Sequence, residues 1–147
     1  MLKIGQNFIA GSWHNGHTNV ENINPSDIGD VIGHYAQADR AQLDTALDAA
    51  MSAQRKWATT ALEARQTILM NIGNELIERR VELGTLLSRE EGKPLAEGVG
   101  EVFRAGQFFT YYAAEVLRQI GDTADSVRDG VEIDVRREPV GVVAIIS

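Results

Sequence analysis

The chain has 147 residues, enough for one ordinary domain that buries roughly two thirds of the surface its unfolded form exposes. Its hydrophobic fraction of 44% and charged fraction of 24% exclude a disordered or collagen-like chain. A net charge of -7, with Arg79-Arg80 and Arg136-Arg137 as isolated basic pairs, excludes a nucleic-acid surface, and the absence of cysteine excludes disulfides, a thiolate nucleophile and Cys-containing metal sites.

Residues 1–7 lack the basic start and apolar core of a signal peptide, and the longest apolar run, Val142 to Ile146, is too short for a membrane span, so a cytoplasmic location is expected. Asn7-Phe8-Ile9-Ala10 running into Gly11-Ser12-Trp13 carries strand signals, and Asn15-Gly16 suits a tight type I′ turn. Asn24-Pro25-Ser26-Asp27 predicts a further turn, because Asn and Asp side chains bond nearby backbone and proline presets φ. An extended run from Asp30 to Tyr35 follows, which makes a second hairpin.

Helical periodicity begins near Arg40, with Asp39 as cap and Gln42 placed to reach back as a capping box. Leu43, Ala46, Leu47, Ala50, Gln54 and Trp57 form one stripe. Thr60 and Glu63 repeat the capping-box spacing ahead of Leu69, Ile72, Leu76, Leu83 and Leu87. Gly84, which costs about 1 kcal/mol relative to Ala inside a helix, and Arg79-Arg80 point to a break near residue 81, so this stretch is one helix or two. Glu91-Gly92-Lys93-Pro94 stops it, since Gly takes the left-handed conformation and Pro cannot continue a helix. A last helix is expected from Glu97 to Gln119, ended by Gly121-Asp122.

Val131, Ile133 and Val135 then alternate with charged residues as a strand with one wet face. Val140 to Ile146 is continuously apolar and β-branched, the character of a strand buried on both faces of a parallel sheet. Such a strand needs parallel neighbours, so the sequence reads as interrupted within an α/β domain. There is no internal repeat.

Local chemistry is sparse. His14 and His17 flank the Asn15-Gly16 turn without a third ligand, and an exposed turn is the favoured reading. Glu97 and Glu101 share a helical face and could share a proton or hold a cation, although a solvated acidic face is the more common outcome. Glu90 and Glu91 point apart. Gly98-Val99-Gly100 has no preceding strand to set it beside a pyrophosphate, and Gly92-Lys93 lacks the rest of a phosphate loop, leaving Lys93 as a charge at a helix C-terminus. Phe108-Phe109 and Tyr111-Tyr112 lack basic interleaving and read as core rather than a base-stacking platform.

Taken in order, five strings resemble the aldehyde dehydrogenase superfamily. They are Phe8 to Trp13, Asn24-Pro25-Ser26-Asp27 with Gly29 to Ile32, Glu91-Gly92-Lys93-Pro94, Tyr111-Tyr112-Ala113, and Arg137-Glu138-Pro139-Val140-Gly141-Val142. The resemblance spans essentially the whole chain. It implies an α/β fold with N-terminal β-hairpins, three to four helices, an oligomerisation-arm strand and the first strand of an incomplete Rossmann-like parallel sheet. Residues 1–120 would be the N-terminal part of the cofactor-binding domain, 121–138 the arm segment and 139–147 the truncated first strand, with the catalytic domain absent.

In the family a cysteine thiolate attacks the aldehyde, hydride passes to NAD or NADP, and a glutamate activates water against the thioester. An asparagine of a Pro-Trp-Asn motif helps hold the oxyanion. None of these residues is in this chain, so no catalytic residue is assigned, the chain alone is expected to be inactive, and it is not expected to bind the dinucleotide. The resemblance places Ile146 and Ser147 at the edge of the dinucleotide site. It also implies a monovalent cation held by carbonyls matching Asn22 and Ile23 and a carboxylate matching Glu101.

The wording of Gly5-Gln6-Asn7-Phe8 and Glu21-Asn22-Ile23-Asn24-Pro25 is similar to bacterial members acting on small semialdehydes, such as 2-oxoglutarate semialdehyde enzymes. Expected partners are a second copy, joined through the arm or the exposed final strand, and an aldehyde only in a full-length protein; no nucleic acid or membrane is expected. The competing reading is a non-catalytic helical interaction or oligomerisation module. The bare Val142 to Ile146 strand, without charge or proline to blunt it, favours truncation of an enzyme over that module.

Overall fold

A computed structural model describes residues 4–118 and 120–146. The amino-terminal part is built from short strands: β1 (Ile4–Gly5), β2 (Asn7–Ile9), β3 (Ser12–His14), β4 (Thr18–Ile23) and β5 (Val31–Gln37). β5 is central in a three-stranded sheet, parallel to β1 and antiparallel to β4, while β2 and β3 form a separate hairpin.

The tight turn of that hairpin is Ala10-Gly11, with φ of 52° and 83°, not Asn15-Gly16 as the dipeptide suggested. Two positive φ values are what a two-residue connection between right-twisted strands demands. Gly16 serves a different constraint: a Cβ there would lie 2.4 Å from the Gln37 carbonyl oxygen, and the His17 amide donates to that same oxygen at 2.9 Å. The β4–β5 connection forms at Asn24 to Asp30 as expected. Asn24 Oδ1 accepts from the Ser26 amide at 2.9 Å, Asp27 Oδ1 accepts from the Gly29 amide at 3.1 Å, and the Asn24 amide closes the loop on the Asp30 carbonyl at 3.0 Å.

Helix α1 (Arg40–Ala58) is capped by Asp39, whose carboxylate accepts from the Gln42 amide at 2.8 Å. The Gln42 side chain does not close a capping box; it donates instead to the Asn15 carbonyl at 2.8 Å and ties the helix start to the β3–β4 connection. Thr60 likewise does not cap the next helix. Its hydroxyl donates to the Lys56 carbonyl at 2.9 Å at the end of α1, and α2 (Leu62–Glu78) starts at Ala61 without a side-chain cap.

The expected break falls at Arg79, so α3 (Arg80–Glu91) is a separate helix. The Arg79 guanidinium spans the break, donating to Glu75 at 2.8 Å and to both oxygens of Glu82 at 3.0 and 2.8 Å. Gly84 is not the cause of this break. It lies within α3, where a Cβ would sit 2.5 Å from Val99 Cα on α4 (Leu95–Glu115), and Gly98 faces it across the same crossing. A second crossing joins α2 to α4, where a Cβ on Gly73 would meet Thr110 Cγ2 at 2.7 Å and one on Gly106 would meet Ile77 Cγ1 at 2.6 Å. α4 therefore packs backbone-close against both α2 and α3.

After α4 the chain forms an antiparallel hairpin, β6 (Asp122–Asp125) with β7 (Glu132–Val135), which the alternation of residues 131–135 anticipated for one strand. Residues 139–146 form no ladder among the described residues, and Val140, Ile145 and Ile146 are about nine-tenths exposed. The apolar run there is a strand in character only, because a strand exists by virtue of a hydrogen-bonded neighbour.

Apolar burial is shallow. Ile9 and Ala113 are the buried apolar side chains among the described residues, whereas Phe108, Tyr111 and Tyr112, expected as core, are exposed on the face of α4 turned away from α2 and α3. The accessible surface is 11495 Å², against roughly 7,400 Å² for a folded monomer of this length. The stripe on α1 is also half open, with Leu43, Leu47 and Trp57 exposed.

The crossings yield a paired prediction. Gly84→Ala should lower stability in urea unfolding by about 1–3 kcal/mol, since α3 and α4 must separate, whereas Gly100→Ala, with open space around its Cβ, should raise it by about 0.5–1 kcal/mol. Equal effects would contradict the close packing.

Candidate functional site

The most heavily bonded polar region lies where the α3–α4 bend meets the β4–β5 loop. It forms because α3 stops sharply: Gly92 takes φ 72° and its amide donates to the Ser88 carbonyl at 2.9 Å. Pro94 then opens α4, its carbonyl accepting from the Glu97 and Gly98 amides at 3.0 and 3.2 Å. The bend is held internally by the Ser88 hydroxyl, which donates to the Lys93 carbonyl at 2.5 Å. Across the gap, the Ser26 hydroxyl donates to the Gly92 carbonyl at 3.1 Å, and a Cβ on Gly92 would press on Ser26 Oγ and Pro25 Cγ.

Arg89–Asp30 and Asn22–Glu90 reinforce this contact from side to side, and Lys93 ties the bend internally to Glu91 and Glu101. Arg89 grips Asp30 with two bonds, Nε to Oδ2 at 2.8 Å and Nη2 to Oδ1 at 2.5 Å, and Asn24 Nδ2 donates a third to Asp30 Oδ2 at 3.2 Å. The Arg89 bonds, then that of Asn24, hold the Asp30 carboxyl below the ordinary aspartate range. Asn22 Nδ2 donates to Glu90 Oε1 at 2.8 Å from the edge of β4, where the ladder skips Ile32 and shifts register. Lys93 Nζ lies 2.6 Å from Glu101 Oε1 and 2.5 Å from Glu91 Oε2, and these bonds, that of Glu101 first, raise the pKa of its ammonium above the usual lysine value.

The site residues expected from the sequence are distributed unevenly around this region. Asn22 and Glu101 both belong to it, but the Glu101 carboxylate already faces the Lys93 ammonium. The implied monovalent-ion set thus has its one anionic member neutralised by a protein cation, and a second cation beside an ammonium is electrostatically disfavoured. The residues present do not fit that ion. Lys93 serves as a bridge between two carboxylates rather than as a charge on the last carbonyls of α3.

Ile146 is exposed at the end of the unpaired segment, and Ser147 lies outside the described residues. Among the described residues the parallel pairing is the two-residue β1–β5 contact, with no strand, glycine-rich turn and helix in succession to cradle a pyrophosphate. His14 and His17 are exposed in the β3–β4 connection, and no group of three or more His, Asp or Glu side chains able to hold a metal ion occurs among the described residues. Glu97 stays solvated on the first turn of α4, where its charge complements the positive end of the helix dipole.

The Arg89–Asp30 pair escaped the sequence reading. Its partners are 59 positions apart, so no periodicity or spacing could join them; the one available signal was that each flanks a turn motif.

The sequence model described as "Aldehyde dehydrogenase family" matches residues 13–147. The chain is 32% identical to alpha-ketoglutarate semialdehyde dehydrogenase of Haloferax volcanii, an alignment covering 100% of this chain and 31% of that protein. It is 34% identical to the NADP(+) succinate-semialdehyde dehydrogenase of Escherichia coli, covering 97% and 30%. In structure it is similar to succinate-semialdehyde dehydrogenase from Burkholderia pseudomallei, with a TM-score of 0.87 at 30% identity over 95% of this chain and 29% of that one. The chain therefore spans about 30% of the length of the curated relatives it matches.

The Asp30 pair carries a sign-definite pH dependence. A carboxyl with a depressed folded-state pKa contributes stability above its unfolded value, about pH 4, and loses it as pH falls through the folded value. Carboxyl-carbon NMR should find Asp30 titrating below the other aspartates, and Arg89→Met should move it up towards the ordinary range, with the Asn24 bond left in place. An ordinary Asp30 titration in the unaltered chain would contradict the bidentate pair.

Proposed function

The chain belongs to the aldehyde dehydrogenase family, and from that premise we propose that it supplies the amino-terminal scaffold of an NAD(P)-dependent enzyme that oxidises an aldehyde to the carboxylic acid. The observation carrying this reading is the match of residues 13–147 to the family together with the shared fold over 95% of the chain. The substrate we infer is a small semialdehyde, supported by the names of the relatives, which act on 2-oxoglutarate and succinate semialdehydes. The expected setting is the cytoplasm; among the described residues no helix is long and apolar enough to cross a membrane.

Within that enzyme the chain's role is positional. The family chemistry needs a thiolate to attack the aldehyde carbon, with hydride leaving that carbon for the nicotinamide. These 147 residues include no cysteine, so they cannot supply the attacking group. What they supply is a helical block whose bend is anchored to a sheet, and a final apolar segment ending at Ile146 and Ser147 that would reach the edge of the dinucleotide site once paired with parallel neighbours.

The reading is tested by assaying the purified 147-residue chain for aldehyde-dependent reduction of NAD+ and NADP+ with succinate and 2-oxoglutarate semialdehydes. No turnover is expected. In the complementary arm, a relative lacking its corresponding amino-terminal stretch should gain activity when this chain is co-expressed with it. Turnover by the cysteine-free chain would overturn the mechanism; assembly of the two pieces without any gain of activity would overturn the scaffold role.

A second reading, a non-catalytic oligomerisation module, is favoured by one observation: the β6–β7 hairpin carries Val131, Ile133 and Val135 in the open. We propose self-association through this hairpin or the 139–146 segment. Sedimentation of the chain should show species larger than a monomer, and Ile133→Lys should shift the distribution towards monomer. A monomeric chain would contradict this assignment.

A further inference from the structure

The carboxylates of Glu91 and Glu101 belong to different helices, α3 and α4, and the Lys93 ammonium sits between them at 2.5 and 2.6 Å. The lysine reaches both because the left-handed Gly92 turns the chain back on itself and Pro94 starts α4 at once, which places Glu101 about two turns along the helix. The Lys93 side chain is only 16% exposed, while Glu91 and Glu101 keep about half their surface in solvent. The ammonium is thus the sheltered member of the triad, and its carboxylates are the part that solvent and ions can reach.

We propose that the Lys93 ammonium is the resident cation of this bend, holding by a side chain the positive charge that the family resemblance assigns to a monovalent metal ion, so that the chain requires no such ion while Lys93 is present. A tethered ammonium is permanently at high effective concentration, whereas a free ion must pay the entropy of capture and displace it from two carboxylates. The ammonium's three donors also match two carboxylates plus solvent. With Lys93 removed, the Glu91 and Glu101 carboxylates that it bridges are left without their cation. That is a hard-oxygen environment suited to K+ or Na+. The inference rests on the geometry of the bend and not on aldehyde oxidation, so it stands or falls separately from the proposed activity.

The test uses the full 147-residue chain and thermal unfolding in KCl, NaCl or tetramethylammonium chloride at equal ionic strength. The unaltered chain and Lys93→Arg should have the same midpoint in all three salts. Lys93→Met should lose on the order of 2–4 °C in tetramethylammonium chloride and recover it saturably with K+ or Na+. Adding Glu101→Gln to Lys93→Met should abolish that recovery. A saturable K+ or Na+ stabilisation of the unaltered chain, removed by Glu101→Gln, would overturn the proposal, as would a Lys93→Met protein that neither loses stability nor responds to the metal ions. If Lys93→Met does not fold, thallium(I) NMR on the unaltered chain decides the matter: no saturable bound signal is expected, and a bound signal competed by K+ contradicts the proposal.

Discussion

The approach of α4 to within backbone contact of α2 and α3 is the constraint from which the rest of this structure follows. It is possible only because side chains are missing at Gly73 and Gly106 in one crossing and at Gly84 and Gly98 in the other. Two consecutive helices packed this closely to the same partner leave little freedom for the link between α3 and α4. The link is resolved by a left-handed Gly92 followed by a helix-opening Pro94, which fixes where Arg89, Glu90, Glu91 and Lys93 emerge.

That placement lets one short bend serve both halves of the chain. On its α3 side it reaches β4 through Glu90 on Asn22, and the β4–β5 loop through Arg89 on Asp30 and Gly92 on Ser26. On its α4 side it closes on itself through Lys93 and the two carboxylates. The contact is polar and partly exposed, so its worth lies in orientation more than in bulk stability. Apolar burial cannot take over that task, since the chain leaves its large side chains on α1, α4 and the β6–β7 hairpin open to solvent. Arg65 marks the same condition in the polar inventory. Its Nε is buried beside a cavity of about 290 Å³ between α1 and residues 137–141, without an acceptor among the described residues.

The sequence was legible wherever a local rule acts alone. The Asp39 cap, the Asn24 to Asp30 loop, the stop at Gly92-Lys93-Pro94 and the alternating strand at residues 132–135 all follow from spacing within a few residues. It misled wherever a second, distant element competed for the same group. Asn15-Gly16 has turn chemistry, but Gly16 is required by the approach of Gln37, and the turn passes to Ala10-Gly11. Gln42 and Thr60 have capping spacing, but their side chains find better-placed carbonyls at Asn15 and Lys56. Gly84 reads as a helix weakness until α4 is seen across it. The family resemblance pointed to Asn22 and Glu101, and the Lys93 side chain that neutralises Glu101 lies eight positions earlier across a bend that spacing alone does not fold.

Native-state hydrogen exchange on Arg89→Met tests most directly whether the bend is what couples the sheet to the helices. The account predicts that β4 and β5 amides lose protection while amides of α2, α3 and α4, held by the glycine crossings, keep theirs. Unchanged protection in β4 and β5, or an equal loss across sheet and helices, would contradict it.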